Sequence, residues 1–409
     1  MVGRSVPLSR GPCLLPTRRL AKDGSPYRRQ AARIVKCLEF PEFFTVHRLI
    51  LSLVIAAPAG YSGDRMKTKA AVLHGLKDVR LQEVELPPLA PGELLVKVKA
   101  ALTCGTDRKM YLRGHPKFKP PFIFGHEFTG EVLTVGAGVE LFRPGMRVAA
   151  VNSAPCNQCY WCKVGNQSMC ENMFLQLSGA FAEYAIIPAP IVAQNTVEIP
   201  AHVTYRQAAL LEPLACVVHG VERSGIRLGD TVVVIGAGPI GLFFNSLVLL
   251  KGARVIAADM KAERLAVAKA LGAHETLDLS KVSDPVAAIR ERTEGGRGVD
   301  VAIEAVGLPE VWQTAIATVR KGGIANLFGG CASGTKITVD TGLIHYNEVT
   351  IKGVFHFTPE YVRRAMNLIA QGAINTDVFV THEFPLSRIS EAIEYLVNQV
   401  GIKISIKPD

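Results

Sequence analysis

The chain has 409 residues, a length that suggests two domains or three. Hydrophobic residues make up 48% and charged residues 20%, which excludes a disordered chain and allows a sizeable buried core. The net charge of +10 is concentrated at one end: residues 1–65 hold eleven Lys/Arg against four Asp/Glu, and the rest holds 35 against 32. No basic stripe is interleaved with aromatics, so nucleic acid is not an expected partner.

Residues 1–65 are Arg-rich and irregular, with Pro7, Pro12, Pro16, Pro26 and Pro41. The apolar run Leu49–Ala57 is far shorter than the ~20 residues a bilayer crossing takes, so no membrane partner is expected. It resembles a signal-peptide core with a loose cleavage triplet at Ala57-Pro58-Ala59, but the basic stretch before it is too long. Arg18-Arg19 lies too far upstream for a twin-arginine signal, and a mitochondrial transit peptide fits the Arg bias better. The reading adopted is the plainest one: a disordered or non-native extension, with a natural start at Met66-Lys67-Thr68-Lys69.

Residues 66–210 read as β-rich, with runs such as Glu93–Val98 and Phe128–Val135 between Gly and Pro punctuation, suggesting a compact antiparallel barrel. The character changes near Leu228. Thr231–Ile235 is a continuous β-branched run, as in a strand buried on both faces. A glycine-rich turn, a helix over Leu242–Lys251 and a strand from Arg254 to Ala258 ending at Asp259 follow. Strands at Val299–Glu304 and Ile324–Phe328 continue the alternation of a doubly wound parallel sheet. The tail has helical patterns at Pro359–Gly372 and Ile389–Val397, then an alternating end segment.

A lone Gly-x-Gly-x-x-Gly is weak evidence, but Gly236-Ala237-Gly238-Pro239-Ile240-Gly241 follows a strand and opens a helix. Gly236 permits the tight turn, Gly238 lets a pyrophosphate approach, and Gly241 lets helix and strand pack. The helix N-terminus offers free N–H groups to phosphate. Asp259 can accept from both ribose hydroxyls and would repel a 2′-phosphate, which favours NAD over NADP, although Lys261 beside it weakens that inference. Arg264 can cover the adenine. Val306-Gly307 and Phe328-Gly329 follow strands at the same edge and can line the nicotinamide end; ordinary sheet-end packing explains them equally well.

Nine cysteines are present, four of them within Cys156-x-x-Cys159-x-x-Cys162-x₇-Cys170. Four thiolates in one loop close a tetrahedral zinc and leave no open position, as in a structural site. Free thiols or two disulfides are the competing reading. A second, dispersed set comprises Cys104, His126, Glu127 and Glu212. Thiolate, imidazole and carboxylate together suit a catalytic zinc that keeps one position for substrate, though each residue alone is weak evidence. Cysteine used this way points to a reducing compartment, hence a cytoplasmic protein. Cys216 and Cys331 read as buried small residues, His219 and His345 as structural, His356 as a weak candidate for substrate contact, and Tyr205 and Trp161 as packing.

From Met66 onward the chain resembles the zinc-containing medium-chain dehydrogenases of the alcohol dehydrogenase superfamily. Gly125-His126-Glu127-x-x-Gly130 with Gly136 after it, the four-cysteine lobe and the glycine motif stand in that family's order. The likeness is closest to the sorbitol (L-iditol 2-) and threonine dehydrogenase branch, through Cys-Gly-Thr-Asp at 104–107, Glu-Pro-Leu at 212–214 and Ile344-His345-Tyr346-Asn347-Glu348. The resemblance implies an α/β fold: a GroES-like β-rich catalytic domain (66–212 plus 356–409) interrupted by a Rossmann doubly wound cofactor domain (213–355). The structural-zinc lobe would lie near 152–175, and the active site in the cleft between the domains. It implies Cys104, His126 and Glu127 as ligands of a catalytic zinc, with Glu212 either a fourth ligand or a partner acting through water. It also implies two zinc ions and NAD per chain, and a homodimer or homotetramer.

The mechanism implied is hydride transfer from a polyol or secondary alcohol to NAD, with Thr106 accepting the hydroxyl proton. The branch commonly places a proton-relaying histidine five positions after the zinc-binding cysteine. Here that position is Lys109, which leaves the proton's exit open between the lysine, a cofactor ribose hydroxyl and water. The rival readings are a threonine-type amino-alcohol dehydrogenase and a non-catalytic nucleotide-binding relative. The filled ligand positions weigh against the second, and against a zinc-free quinone reductase.

Overall fold

The computed structural model describes residues 66–115, 117–176 and 178–409. The readings made on residues 1–65 lie outside the described residues. No helix among the described residues is long and apolar enough to cross a membrane.

Two sheets organise the chain. Six strands form a parallel sheet in the spatial order Glu275–Asp278, Arg254–Asp259, Thr231–Ile235, Val299–Glu304, Val319–Leu327 and Thr350–Gly353. In chain order that is third, second, first, fourth, fifth and sixth. The direction of winding therefore reverses between Thr231–Ile235 and Val299–Glu304, where doubly wound sheets bind dinucleotides. Val232, Val233 and Val234 are wholly buried because helices cover both faces of the sheet. The helix after the glycine turn runs Pro239–Leu250 and so begins ahead of the expected Leu242, because Pro239 has the φ that a first helical position needs. The strand expected at Ile324–Phe328 is longer, Val319–Leu327. The ladder pauses after Val319↔Val299 and resumes at Ile324↔Val301, so the strand carries an irregularity that includes Gly322-Gly323.

The β-rich part holds a seven-stranded sheet in which Leu94–Leu102 is flanked by Glu127–Val135 and by the tail strand Lys403–Lys407, and also pairs with Tyr184–Ile187. A smaller sheet is built on Lys67–Gly75. Among the described residues the expected antiparallel character has one exception, the parallel pair Val380–Pro385 and Lys403–Lys407. The structure also adds helices that the β-rich reading lacked. Gly105–Arg113 is started by a capping box: Cys104 Sγ accepts from the first helical turn, and the Asp107 carboxylate accepts from Cys104 N–H. The helix is too polar to show an apolar period. Leu211–Arg223 carries Glu212 in its first turn and is buried along most of its length.

One hydrophobic core fills the β-rich part around Phe124, Phe181 and Val96. Another lies on one face of the parallel sheet around Ile256 and Ile316. The largest runs from the other face of that sheet, through Leu214 and Phe243, to Leu102, Ala149 and Val151. Phe243 of the glycine-motif helix stacks on Phe379 near the tail strands, ring centres 3.9 Å apart. Fully burying such a side chain contributes about 1.5–3 kcal/mol, so this continuous core fixes the two sheets to each other.

Candidate active site and metal centres

Cys104 caps the helix Gly105–Arg113, while His126 and Glu127 stand at the start of the strand Glu127–Val135. The register Leu102↔Glu127 brings these segments together. One ligand atom from each of Cys104, His126 and Glu127 lies within 4.8 Å of the other two. Glu212 is buried beside them but is not in that set; its Oε1 accepts a hydrogen bond from Asn152 Nδ2 at 3.0 Å.

Three residues that the sequence reading did not assign hold this cluster. Asp107 Oδ1 lies 2.9 Å from His126 Nδ1, which leaves Nε2 free toward a metal. Burial pulls the His126 pKa down, but the Asp107 carboxylate and the Cys104 thiol outweigh it and hold it well above the ordinary histidine value. Lys403 Nζ lies 2.6 Å from Glu127 Oε2 and donates to Thr103 O at 2.8 Å. Asn152 orients Glu212, as above. Asp107 was legible inside Cys-Gly-Thr-Asp, since a metal-bound histidine needs a partner on its other nitrogen. Lys403 had no signal: in the alternating Lys-Ile-Ser-Ile-Lys it reads as a solvent-facing residue.

The donor set fits a metal cation. Glu127 Oε1 is buried with no hydrogen-bond partner among the described residues. Burial pushes the Cys104 thiol up, and pushes the Glu127 carboxyl up to about 7 against the pull of Lys403. Burial thus disfavours the charged forms of both ligands, and a cation held between them would offset that cost.

The four lobe cysteines also converge within 4.8 Å, and all are free thiols. Cys159 Sγ lies 3.6 Å from Cys162 Sγ and 3.9 Å from Cys170 Sγ. Tetrahedral zinc with Zn–S near 2.3 Å requires sulfurs about 3.8 Å apart. Backbone N–H groups of Gln158 and Cys159 point at Cys156 Sγ and hold its pKa down to about 6, while burial and Cys159 push Cys162 up to about 12.

In the crevice of the parallel sheet, each glycine of the motif meets a different constraint. Gly236 has φ +101°, and a Cβ there would lie 2.8 Å from Val306 Cγ2. A Cβ on Gly241 would lie 1.7 Å from Gly236 O. Gly238 has no such internal demand: the nearest atom is Arg264 Nη1 at 3.9 Å, so its bare backbone leaves room for a ligand. Pro239 and Ile240 open the helix beyond it. Asp259 closes its strand, its Oδ2 accepting from Ala237 N–H at 2.6 Å and its Oδ1 from Lys261 N–H at 2.8 Å. The buried Nε of Arg264 has no hydrogen-bond partner among the described residues. Val306-Gly307 and Phe328-Gly329 border the same crevice, and Phe328 packs edge-on against Phe244.

Two family models match the chain: an alcohol dehydrogenase GroES-like domain over residues 90–201 and a zinc-binding dehydrogenase domain over 239–371. Sorbitol dehydrogenase from Bacillus subtilis is 33% identical over 334 residues, which cover 80% of this chain and 92% of that protein. The chain belongs to the zinc-binding dehydrogenases. A zinc-binding dehydrogenase from Sinorhizobium meliloti solved with NADP superposes at a TM-score of 0.78, with 33% identity over 84% of this chain and 100% of that one. The 2R,3R-butanediol dehydrogenase of Bacillus subtilis gives 0.74 and 32% over the same shares. Within the zinc-binding dehydrogenases the chain falls in the sorbitol dehydrogenase-like branch.

Within this dehydrogenase the remaining sequence-singled residues fall as follows. Thr106 lies in the first turn after Cys104, its N–H 3.5 Å from Cys104 Sγ. Lys109 is exposed one turn further along. His219 is buried, bonds through Nδ1 to His356 O at 2.8 Å and stacks on Tyr361. His356 Nε2 bonds Ser153 Oγ at 2.5 Å. His345 is exposed at the end of the helix Thr341–His345. Cys216 and Cys331 are half-buried rather than buried; Cys331 lies on the loop beyond the strand end at Leu327, outside the core. Trp161 is 38% exposed on the lobe, so it is not a core residue, whereas Tyr205 packs under the Arg147 guanidinium at 4.5 Å.

Proposed function

We propose that this protein is a zinc-dependent, NAD-linked dehydrogenase that oxidises a polyol or secondary alcohol to the ketone. The observation that carries the reading is the convergence of half-buried Cys104 with buried His126 and Glu127 around a carboxylate oxygen that has no hydrogen-bond partner among the described residues. Zinc held by these residues would supply the Lewis acidity that makes a substrate hydroxyl acidic near neutral pH, and a bound nicotinamide would supply the hydride acceptor.

The chain's own residues do the rest. Cys104, His126 and Glu127 hold the metal, and Glu212 adds negative charge beside it or joins as a fourth ligand. Asp107, Lys403 and Asn152 fix the orientation of His126, Glu127 and Glu212. Thr106 Oγ1 accepts the hydrogen bond from the substrate hydroxyl. Lys109, exposed on the next turn, marks the solvent side of the proton's exit. Asp259 receives the adenosine ribose, Gly238 admits the pyrophosphate, and Arg264 covers the adenine. The charge of Asp259 at that position supports NAD over NADP. Cys156, Cys159, Cys162 and Cys170 hold a second, structural zinc.

The division into 66–212 with 356–409 and 213–355 belongs to this reading. Its support is the tail strand that pairs Ser405 with Leu102. Assembly as a homodimer or homotetramer in the cytoplasm completes it.

The test is reduction of NAD⁺ by the purified full chain with sorbitol, xylitol, 2,3-butanediol or L-threonine, with and without a zinc chelator. Chelator-sensitive turnover of a polyol or diol is expected. Turnover of L-threonine alone would reassign the substrate, and a protein without bound zinc would overturn the reading.

A further inference from the structure

Glu304 ends the strand Val299–Glu304 and is wholly buried. Among the described residues no cation pairs with it. A buried carboxylate without such a partner costs several kcal/mol unless other donors replace water. Here the donors are chiefly backbone amides from two different loops, with the Trp312 indole beside them. Oε1 accepts from Val306 N–H and Gly307 N–H, both at 2.7 Å, and Oε2 accepts from Gly329 N–H at 3.2 Å. Burial pushes the Glu304 carboxyl above its ordinary range, and these amides pull against it.

The main chain repeats the pattern. Glu304 O accepts from Phe328 N–H at 3.1 Å and Gly329 N–H at 3.0 Å, and Ala305 N–H donates to Ile235 O at 2.9 Å. From the far side Trp312 Nε1 donates to Gly329 O at 2.9 Å. The loops are pressed together: a Cβ on Gly329 would lie 2.4 Å from Gly307 N, and Val306 stands against Gly236 of the glycine turn. Two loops, those after Glu304 and Leu327, thus meet over one carboxylate, and Val306 carries their contact to the glycine turn after Ile235 at the reversal point of the sheet.

We propose that Glu304 is a positioning residue for the dinucleotide: its carboxylate fixes loops 305–307 and 328–330 against the glycine turn. The nicotinamide half then meets a preformed wall rather than one it must order. The proposal rests on reading this crevice as the cofactor site. A carboxylate suits the task because it presents two acceptor oxygens to three donors. A glutamine presents one acceptor, and its NH₂ would face an N–H donor. Leaving one such group unsatisfied costs ~1–3 kcal/mol, a factor of roughly 10–100 in an equilibrium constant.

The experiment compares wild-type and Glu304→Gln full-chain, zinc-loaded protein by calorimetric titration with NAD⁺, alongside zinc content, the unfolding temperature without cofactor, and KM for NAD⁺ and for the alcohol. We expect the NAD⁺ dissociation constant and KM to rise roughly 10–100-fold, with zinc content and the alcohol KM unchanged. Unchanged NAD⁺ affinity, with or without a lower unfolding temperature, would overturn the proposal. If the variant does not fold, Trp312→Phe removes the other anchor of Gly329; weaker NAD⁺ binding supports the proposal and unchanged binding overturns it. Wild-type protein that holds zinc but binds no NAD⁺ would remove the crevice reading itself, and this proposal with it.

Discussion

Lys403 Nζ lies 2.6 Å from Glu127 Oε2, with the two side chains 2% and 0% exposed. A buried pair of this kind stabilises little by itself, but removing one partner strands the other, at a cost of ~3–5 kcal/mol. Lys403→Met should therefore lower unfolding free energy by about that amount and release zinc from the Cys104 centre. Lys403→Arg should recover part of both. Denaturant titration and zinc analysis check this; full zinc occupancy in Lys403→Met would contradict it.

The lobe predicts a separable loss. Cys159→Ser removes one of four thiolates from a site with no spare ligand, so the protein should lose one zinc ion per chain and unfold at lower temperature. Metal analysis of the purified variant reads the first effect and calorimetry the second. Retention of both ions would show that the lobe is not a metal site.

Asp259 offers a test of cofactor choice. Asp259→Ser removes both charge and one acceptor, and should shift the NAD⁺ to NADP⁺ ratio of kcat/KM by roughly 10–100-fold toward NADP⁺. The alcohol KM and the zinc content should not change. A ratio that stays constant would mean that Asp259 serves only its two backbone partners, Ala237 and Lys261.

His356 gives a pH signature. Burial, with His219 nearby, holds its pKa down to about 4. In the unfolded chain it titrates near 6.5, so between pH 4 and 6.5 the unfolded state binds more protons. Its contribution is then complete above about pH 6.5 and is lost as pH falls toward 4, amounting to about 2 kcal/mol between pH 7 and 5. His356→Asn should lose correspondingly less stability over that interval; an identical pH slope would exclude the assignment.

Much of this protein was legible in the sequence because its chemistry is local. The glycine turn lies between a strand and a helix that are adjacent in the chain, and the four lobe cysteines lie in one loop. The central strand Thr231–Ile235 announces itself by a β-branched run that two-sided burial explains, whereas the edge strands Glu275–Asp278 and Thr350–Gly353 carry no such run and were not anticipated. What was not legible depends on distant pairing. Lys403 reaches Glu127 through the register of a tail strand, and Glu304 looks like the polar end of a strand until loops 305–307 and 328–330 close over it. Glu212 entered the reading as a ligand or a partner acting through water, and the residue that orients it, Asn152, lies 60 positions away, where no spacing could point to it. The helix after Cys104 was hidden because its signal is a cap rather than a period.

The hydrogen bond from Lys403 to Thr103 O joins residues 300 positions apart. On the ribosome, the segment that carries Cys104, His126 and Glu127 emerges long before the strand that neutralises Glu127. Until Lys403 is made, Glu127 in the nascent centre lacks its counter-charge. Completion of the enzyme is thus tied to late synthesis, and a transcript cut short before the tail strand would give a polypeptide without a finished centre for chemistry.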